Sequence, residues 1–425
     1  MAYARSATRR ADKGKSILAF CGRKHHFERL IPVVNGLRAN GHKVRWIASG
    51  NSVLNNDLAV EYLIPVGEEF VHTDDYLLAD DIPSVTKATH HFMKEIGEKT
   101  APDVDFATYI EPWWIAASTR EAIELTFAYR RLLEKEKPDC VLILHANNFF
   151  TRLLAHLCQE RAIPVVAFQE GHLRKRDEKT QGKQSMAADD CTKLLAWSEG
   201  AKSEYVKTGI PESKLAVVGI PHLDDWFKLI NTTPADKITQ AKAHQKWELG
   251  YRPNARLACL ALPLISRFDG NGMKHLGLIA DWSASTGTQV AFRFHPFESR
   301  AIVEKIKSAV AEHPYTKVIE TGETLALVLA SDLVLSQHTT IAVESLALGV
   351  PLAEIDLENV GVLESLAEQE VAIKIGRGEL GKVKQILDGK LKVDSVKLHN
   401  WLEYNIGQRD GESASRAVVE IERLM

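Results

Sequence analysis

Through the first half of the chain, short apolar runs alternate with stretches in which apolar residues recur every three or four positions. Lys15-Ser-Ile-Leu-Ala-Phe-Cys21 is a strand-like run closed by Gly22, and Leu30, Val33, Val34 and Leu37 then mark one face of a helix that stops at Gly41. Val44-Arg-Trp-Ile-Ala-Ser49 is the next strand, so the chain opens with a βαβ unit, the building block of a parallel, doubly wound sheet. The alternation continues with a helix over 116–136, a strand over 138–144, a helix over 150–161 and a strand over 163–168. Residues 57–113, with His90-His91 and Trp113-Trp114, carry no assignable pattern.

After Lys193-Leu-Leu-Ala-Trp197 and Leu215-Ala-Val-Val-Gly219, the chain from Asp224 to Asn254 turns polar and charged and loses its strand pattern. It reads as a linker or joining helix. A second α/β series follows through Arg256–Leu264, Gln289–Phe294, Lys317–Glu320, Asp332–Ser336 and Pro351–Ile355, with helices between. This count implies an α/β fold of two Rossmann-like domains, over 16–230 and 256–395, joined by a linker over 231–255. The last stretch, 396–425, is helical in pattern and lies beyond the final strand, so it is expected to cross back onto the first domain.

Length and composition agree with that division. A chain of 425 residues exceeds one ordinary core, and 45% apolar with 26% charged residues is the balance of a folded globular protein. Its longest apolar stretch, Leu257 to Ile265, is far short of the roughly 20 residues that cross a bilayer. Fifty-three Lys and Arg against 56 Asp and Glu leave a formal charge of −3, with no basic field for a nucleic-acid backbone. The five cysteines are dispersed, without a C-x-x-C pair, which fits a reducing cytoplasm. Residues 1–15, with Arg5, Arg9, Arg10, Lys13 and Lys15, are expected to be a basic, disordered tail, which leaves open a peripheral contact with an anionic membrane surface. Neither a D-x-D pair in a suitable setting nor a Cys/His cluster is present, so no metal and no cofactor are expected.

Three segments could carry chemistry. The strand ending at Phe168 runs into Gln169-Glu170-Gly171-His172, which puts a carboxylate at the carboxyl end of a parallel strand, where ligands bind. Glu170 there is either a general base for a hydroxyl or a solvated loop residue. Arg293-Phe-His295-Pro296 ends another strand, with Arg293 and His295 able to donate charge-assisted hydrogen bonds to a phosphate and Pro296 stopping the strand. Backbone satisfaction of His295 is the alternative. Ser336-Gln-His338-Thr339-Thr340 leads into a helix with Glu344 one turn inside and Gly349 and Pro351 at its end. A helix N-terminus lined with hydroxyls can hold a phosphate without lysine; capping of the helix by Thr339 and Thr340 is the alternative, and is compatible with phosphate binding.

Lys137-Pro-Asp139, Gly219-Ile-Pro-His-Leu-Asp224, Arg293 to Pro296, Ser336 to Pro351 and Asp410-Gly-Glu-Ser-Ala-Ser-Arg416 together resemble the GT-B superfamily of nucleotide-sugar glycosyltransferases over residues 16–425. Within it, Gln169-Glu170-Gly171, His295-Pro296 and the Ser/Thr cluster are similar to bacterial sialyltransferases and Kdo transferases. That resemblance implies a cleft between the domains, a CMP-sugar donor on the second one, and a glycan or lipid-linked glycan acceptor of the surface-polysaccharide or lipopolysaccharide kind. Gln169 departs from the pair of acidic residues usual in sialyltransferases. Asp269, in Ser266-Arg-Phe-Asp-Gly270, is similarly placed to the carboxylate proposed as nucleophile in retaining Kdo transferases, and a turn role is its alternative. The second half also resembles CDP-glycerol glycerophosphotransferases. Pro164 to Arg174 resembles UDP-N-acetylglucosamine epimerases, whose form is His-Val-Glu-Ala-Gly-Leu-Arg, although their His-Arg-x-Glu-Asn segment is replaced here by Ser266 to Gly270. A non-catalytic sugar or nucleotide sensor is the reading outside enzymes.

Overall fold

Strands covered on both faces read as continuous Val, Ile and Leu runs, and the strands among the described residues all pair in parallel. The computed structural model describes residues 14–49, 62–99, 112–144, 149–172, 190–261, 272–294, 298–320, 323–336, 339–356 and 365–425. The first lobe opens with β1 (Ser16–Cys21), α1 (Lys24–Ala39), β2 (Lys43–Ala48) and β3 (Phe70–His72). Two long helices, α2 (Ile82–Lys99) and α3 (Pro112–Glu136), precede β4 (Cys140–Ile143), α4 (Phe149–Gln159) and β5 (Val165–Phe168). It closes with β6 (Lys193–Ala196), α5 (Glu199–Lys207) and β7 (Leu215–Val217). The strands lie in the order β3-β2-β1-β4-β5-β6-β7.

Between the sheets, α6 (Asp224–Thr232) and α7 (Ala235–Glu248) replace strand pattern with helix. The second lobe then runs β8 (Leu257–Ala261), α8 (Gly272–Thr286), β9 (Gln289–Arg293), α9 (Arg300–Ala311) and β10 (Thr316–Val318). It continues through α10 (Thr324–Ala330), β11 (Leu333–Ser336), α11 (Thr340–Ala347), β12 (Leu352–Asp356), β13 (Ile373–Gly376) and α12 (Gly381–Leu387). Its order, β10-β9-β8-β11-β12-β13, repeats the winding of the first sheet. The architecture is therefore two Rossmann-like domains. The strands that sequence pattern did not mark, β3 and β13, are short edge strands with a single buried position each, Val71 and Ile375, so they lack an unbroken apolar run.

The chain end forms two helices, α13 (Ser395–Asn405) and α14 (Ser413–Glu422). Trp401 and Leu402 of α13 pack with the second lobe's core beside Trp197 of the first, whereas Ala417, Val418 and Ile421 of α14 pack with Leu30, Val33 and Val34 of α1. The crossover is pinned by two motifs distant in sequence. Asp224 accepts the backbone N–H groups of Ser413 (3.0 Å) and Ala414 (2.6 Å), meeting the unpaired donors at the start of α14. Arg416 donates from Nε to the Val218 carbonyl (2.8 Å) and pairs with Asp410. Gly219 lies beneath them at φ +95°, and a Cβ there would stand 2.3 Å from Ser413 Oγ. Gly219→Ala is therefore expected to cost about 2 kcal/mol or more in a urea titration, from left-handed backbone strain plus the displaced helix.

Candidate functional site

Both sheets reverse winding direction beside their first strand, between β1 and β4 and between β8 and β11. Open parallel sheets take ligands outside the strand carboxyl ends at that point. In the first lobe this places the start of α1 near the exit of β5, and side chains from both meet there.

Gln169, the residue after β5, is buried and works as a brace. Its Oε1 accepts the Trp197 backbone N–H (2.9 Å), its Nε2 donates to the Gly171 carbonyl (2.8 Å), and its own carbonyl accepts Trp197 Nε1–H (3.0 Å). A carboxylate has no proton to donate to Gly171, which is a physical reason for glutamine where the resemblance led one to expect an acid. Glu170 turns outward instead. Its Oε1 lies 2.8 Å from His25 Nε2, with both side chains about one-third exposed (32% and 33%), so the carboxylate is held yet open to solvent. Arg29, one turn along α1 on the same face, donates from Nη1 to the Glu170 carbonyl. His172 stacks beside Trp401 of the crossover helix.

The second lobe contributes α11. Glu344 is buried on it, and its Oε1 accepts from Arg29 Nη2 (3.3 Å) and from His222 Nε2 (3.1 Å). Thr339 makes no side-chain cap bond to α11; its hydroxyl lies 2.7 Å from Ser336 Oγ instead. The two lobes touch at the loop carrying Glu170, where a Cβ on Gly171 would stand 3.5 Å from Thr340 Oγ1. Arg293 ends β9 and donates from Nη1 to the Ile319 carbonyl (2.9 Å), and burial pushes its guanidinium below the ordinary arginine range. Glu170, Thr340 and Glu344 are thus brought to one interlobe face, with Ser336 and Thr339 beside them at the end of β11. Asp269, His295, Pro296 and His338 lie outside the described residues.

Three partners were not singled out from sequence: His25, Arg29 and His222. The signal for the first two was their one-turn spacing at the start of the helix after β1, which the topology aims at the switch point. His222 sits inside the Gly219 to Asp224 motif.

The Arg29–Glu344–His222 contact has a definite charge state. Burial, reinforced by the charge of Arg29, pushes the His222 imidazole below the ordinary histidine range against the pull of Glu344. Burial pushes Glu344 up, but the His222 N–H and the Arg29 charge outweigh it and hold the carboxyl below the usual range. Neutral His222 therefore donates to an anionic Glu344 that is paired with Arg29. A histidine depressed in the folded state binds its proton more readily when unfolded, so its contribution is complete above its ordinary value of 6.5 and is lost as pH falls below it. Glu344 acts in the same direction below 4.5. The urea midpoint is expected to drop between about pH 7.5 and about pH 5.5, and to drop less in His222→Gln, whose amide keeps the donor without titrating.

His25, His26 and Glu170 bring ligand-type atoms within 4.8 Å of one another. His26 Nδ1 accepts the Gly22 backbone N–H (3.2 Å), which places the ring proton on Nε2. With one nitrogen accepting and the other protonated, His26 offers a metal no lone pair, and two ligands are too few for a stable site.

Neither the protein-family models nor the curated protein sequences contain a match to this chain. Solved structures do match it. The UDP-GlcNAc 2-epimerase of Neisseria meningitidis bound to UDP-GlcNAc aligns with a TM-score of 0.62 at 15% identity, covering 96% of this chain and 100% of that one. The Methanocaldococcus jannaschii UDP-GlcNAc 2-epimerase in complex with UDP-GlcNAc and UDP aligns at 0.57 and 16% identity, covering 96% and 99%. The S. aureus MnaA–UDP co-structure aligns at 0.59 and 14% identity, covering 97% and 98%.

The fold is GT-B-like. Identities this low carry the architecture and nothing finer. The five cysteines of this GT-B-like chain are buried and form no disulfide, and among the described residues no helix is long and apolar enough to cross a membrane.

Proposed function

We propose that the chain is a nucleotide-sugar-dependent glycosyltransferase. The observation that carries this reading is Glu170, which leaves β5 toward Thr340 of the opposite lobe while its carboxylate is held by His25 and remains open to solvent. The donor's phosphates would lie against the start of α11 at Thr339 and Thr340, with Ser336 beside them and His295, His338 and Arg293 as further candidate partners. There the helix's free N–H groups can take up the charge that develops on the leaving phosphate. Glu170 would remove the proton from an acceptor hydroxyl; the oxygen then attacks the anomeric carbon, and the carbon–oxygen bond to the phosphate breaks. One base suffices for inversion, whereas retention through a covalent intermediate would need Asp269 as nucleophile.

The donor class shifts from the CMP-sugar favoured on sequence to a UDP-sugar, because the three structural relatives carry UDP or UDP-GlcNAc. A surface or lipid-linked glycan remains the proposed acceptor. The same relatives favour a second reading, epimerisation of a UDP-sugar, in which Glu170 would take a proton from a sugar carbon.

Incubation of the full chain with UDP-GlcNAc alone, followed by proton NMR, separates the two. A transferase releases UDP slowly by transfer to water and faster with a suitable glycan. An epimerase produces a second UDP-sugar with no acceptor present. Thermal shifts with UDP, CMP and CDP rank the nucleotides, and no shift with any of them would sink both readings.

A further inference from the structure

We infer that Arg29 is a positioning residue that ties the presentation of Glu170 to the docking of the second lobe; the inference rests on reading Glu170 as the base. One guanidinium makes two contacts on opposite sides of the interlobe boundary. Nη1 donates to the carbonyl of Glu170 itself and so holds the peptide unit that carries the carboxylate, while Nη2 reaches Glu344 on α11 at 3.3 Å. The side chains of Arg29 and Glu344 are mostly buried, at 16% and 7% exposure, so water is a poor substitute for either partner.

Thr340 and Glu344 stand one turn apart on the same short helix. A phosphate that seats at the first turn of α11 and draws it toward the first lobe also brings Glu344 to Arg29. His222 contributes to the same end, since its N–H fixes the Glu344 oxygen that Arg29 meets. When Glu344 withdraws, Arg29 loses its carboxylate partner, and the carboxylate of Glu170 lies on the residue whose carbonyl it already touches. Pairing there would occupy the carboxylate that an acceptor hydroxyl must reach. Glu344 in the docked state keeps that charge occupied. The fork of arginine is what makes this possible, because a lysine ammonium cannot hold two acceptors in fixed directions.

The test uses the full chain and UDP-GlcNAc as probe, following UDP release in Arg29→Lys, Glu344→Gln and the double variant. Each single change is expected to lower kcat about 30-fold with KM within about threefold, since misplacing a catalytic group costs rate more than binding. The double variant should lose no more than the worse single one, because both remove the same bridge. Losses that multiply, or a rise in KM at unchanged kcat, would overturn the inference. Hydrogen exchange without ligand gives an arm independent of turnover: Arg29→Lys should raise exchange in both 165–172 and 339–348 while leaving β9 unchanged. Exchange altered in only one lobe, or in neither, removes the tie whatever the enzyme does. If the exchange result holds while the unaltered chain neither turns over UDP-GlcNAc nor gains thermal stability with UDP, CMP or CDP, the tie stands and the proposed function falls.

Discussion

Replacing Glu170 with glutamine is expected to lower nucleotide-sugar turnover about a hundred- to ten-thousand-fold, the usual contribution of a general base. The fold should be left intact. Glutamine has the shape of glutamate and can still meet His25 Nε2, while Arg29 holds the residue through its main chain. A loss in kcat with an unchanged urea midpoint therefore isolates the chemistry. Under a double-displacement scheme the same variant could still form a sugar adduct on Asp269, which intact-mass analysis with donor would detect and Asp269→Ala would abolish. Full activity in both variants would remove both carboxylates from the mechanism.

The largest stability effect is expected from Glu344→Ala, at about 3 kcal/mol, because it strands the Arg29 guanidinium in a mostly buried position without its anion. The cost should come from the stranded charge rather than from the missing methylenes. Arg29→Met combined with Glu344→Ala should then recover a substantial part of it, since apolar replacement of a buried pair is often near neutral. A double variant as unstable as the sum of the two singles would mean that Glu344 matters for packing within α11 and not for its charge. Urea titration near neutral pH reads all three proteins, and a transition that splits in two would report the lobes unfolding separately.

The architecture was legible because both sheets are parallel and buried, so nearly every strand announces itself as an apolar run such as Cys140–Ile143 or Leu333–Ser336. Edge strands escape that test, as β3 and β13 did. The positions of Glu170 and Ser336 at strand exits were also legible, since each follows closely on an apolar run. What the pattern could not convey was pairing across hundreds of residues. Arg29 meets Glu344 at a sequence separation of 315, and nothing local in either helix marks the other as its partner. Glu344 read as a candidate ligand-binding residue, and burial between Arg29 and His222 gives it a structural task as well. Gln169 shows the reverse case, in which a departure from a familiar motif acquires a reason only when its three hydrogen bonds are seen.

The proposed function puts a nucleotide at the start of α11, facing Glu170 across the lobe boundary. Hydrogen exchange of the full chain with and without saturating UDP tests it most directly. Added protection is expected in 339–348 and in 165–172 together, with no change in α2 or α9. Protection confined to segments away from the exits of β5 and β11, or none with UDP, CMP and CDP alike, would contradict it.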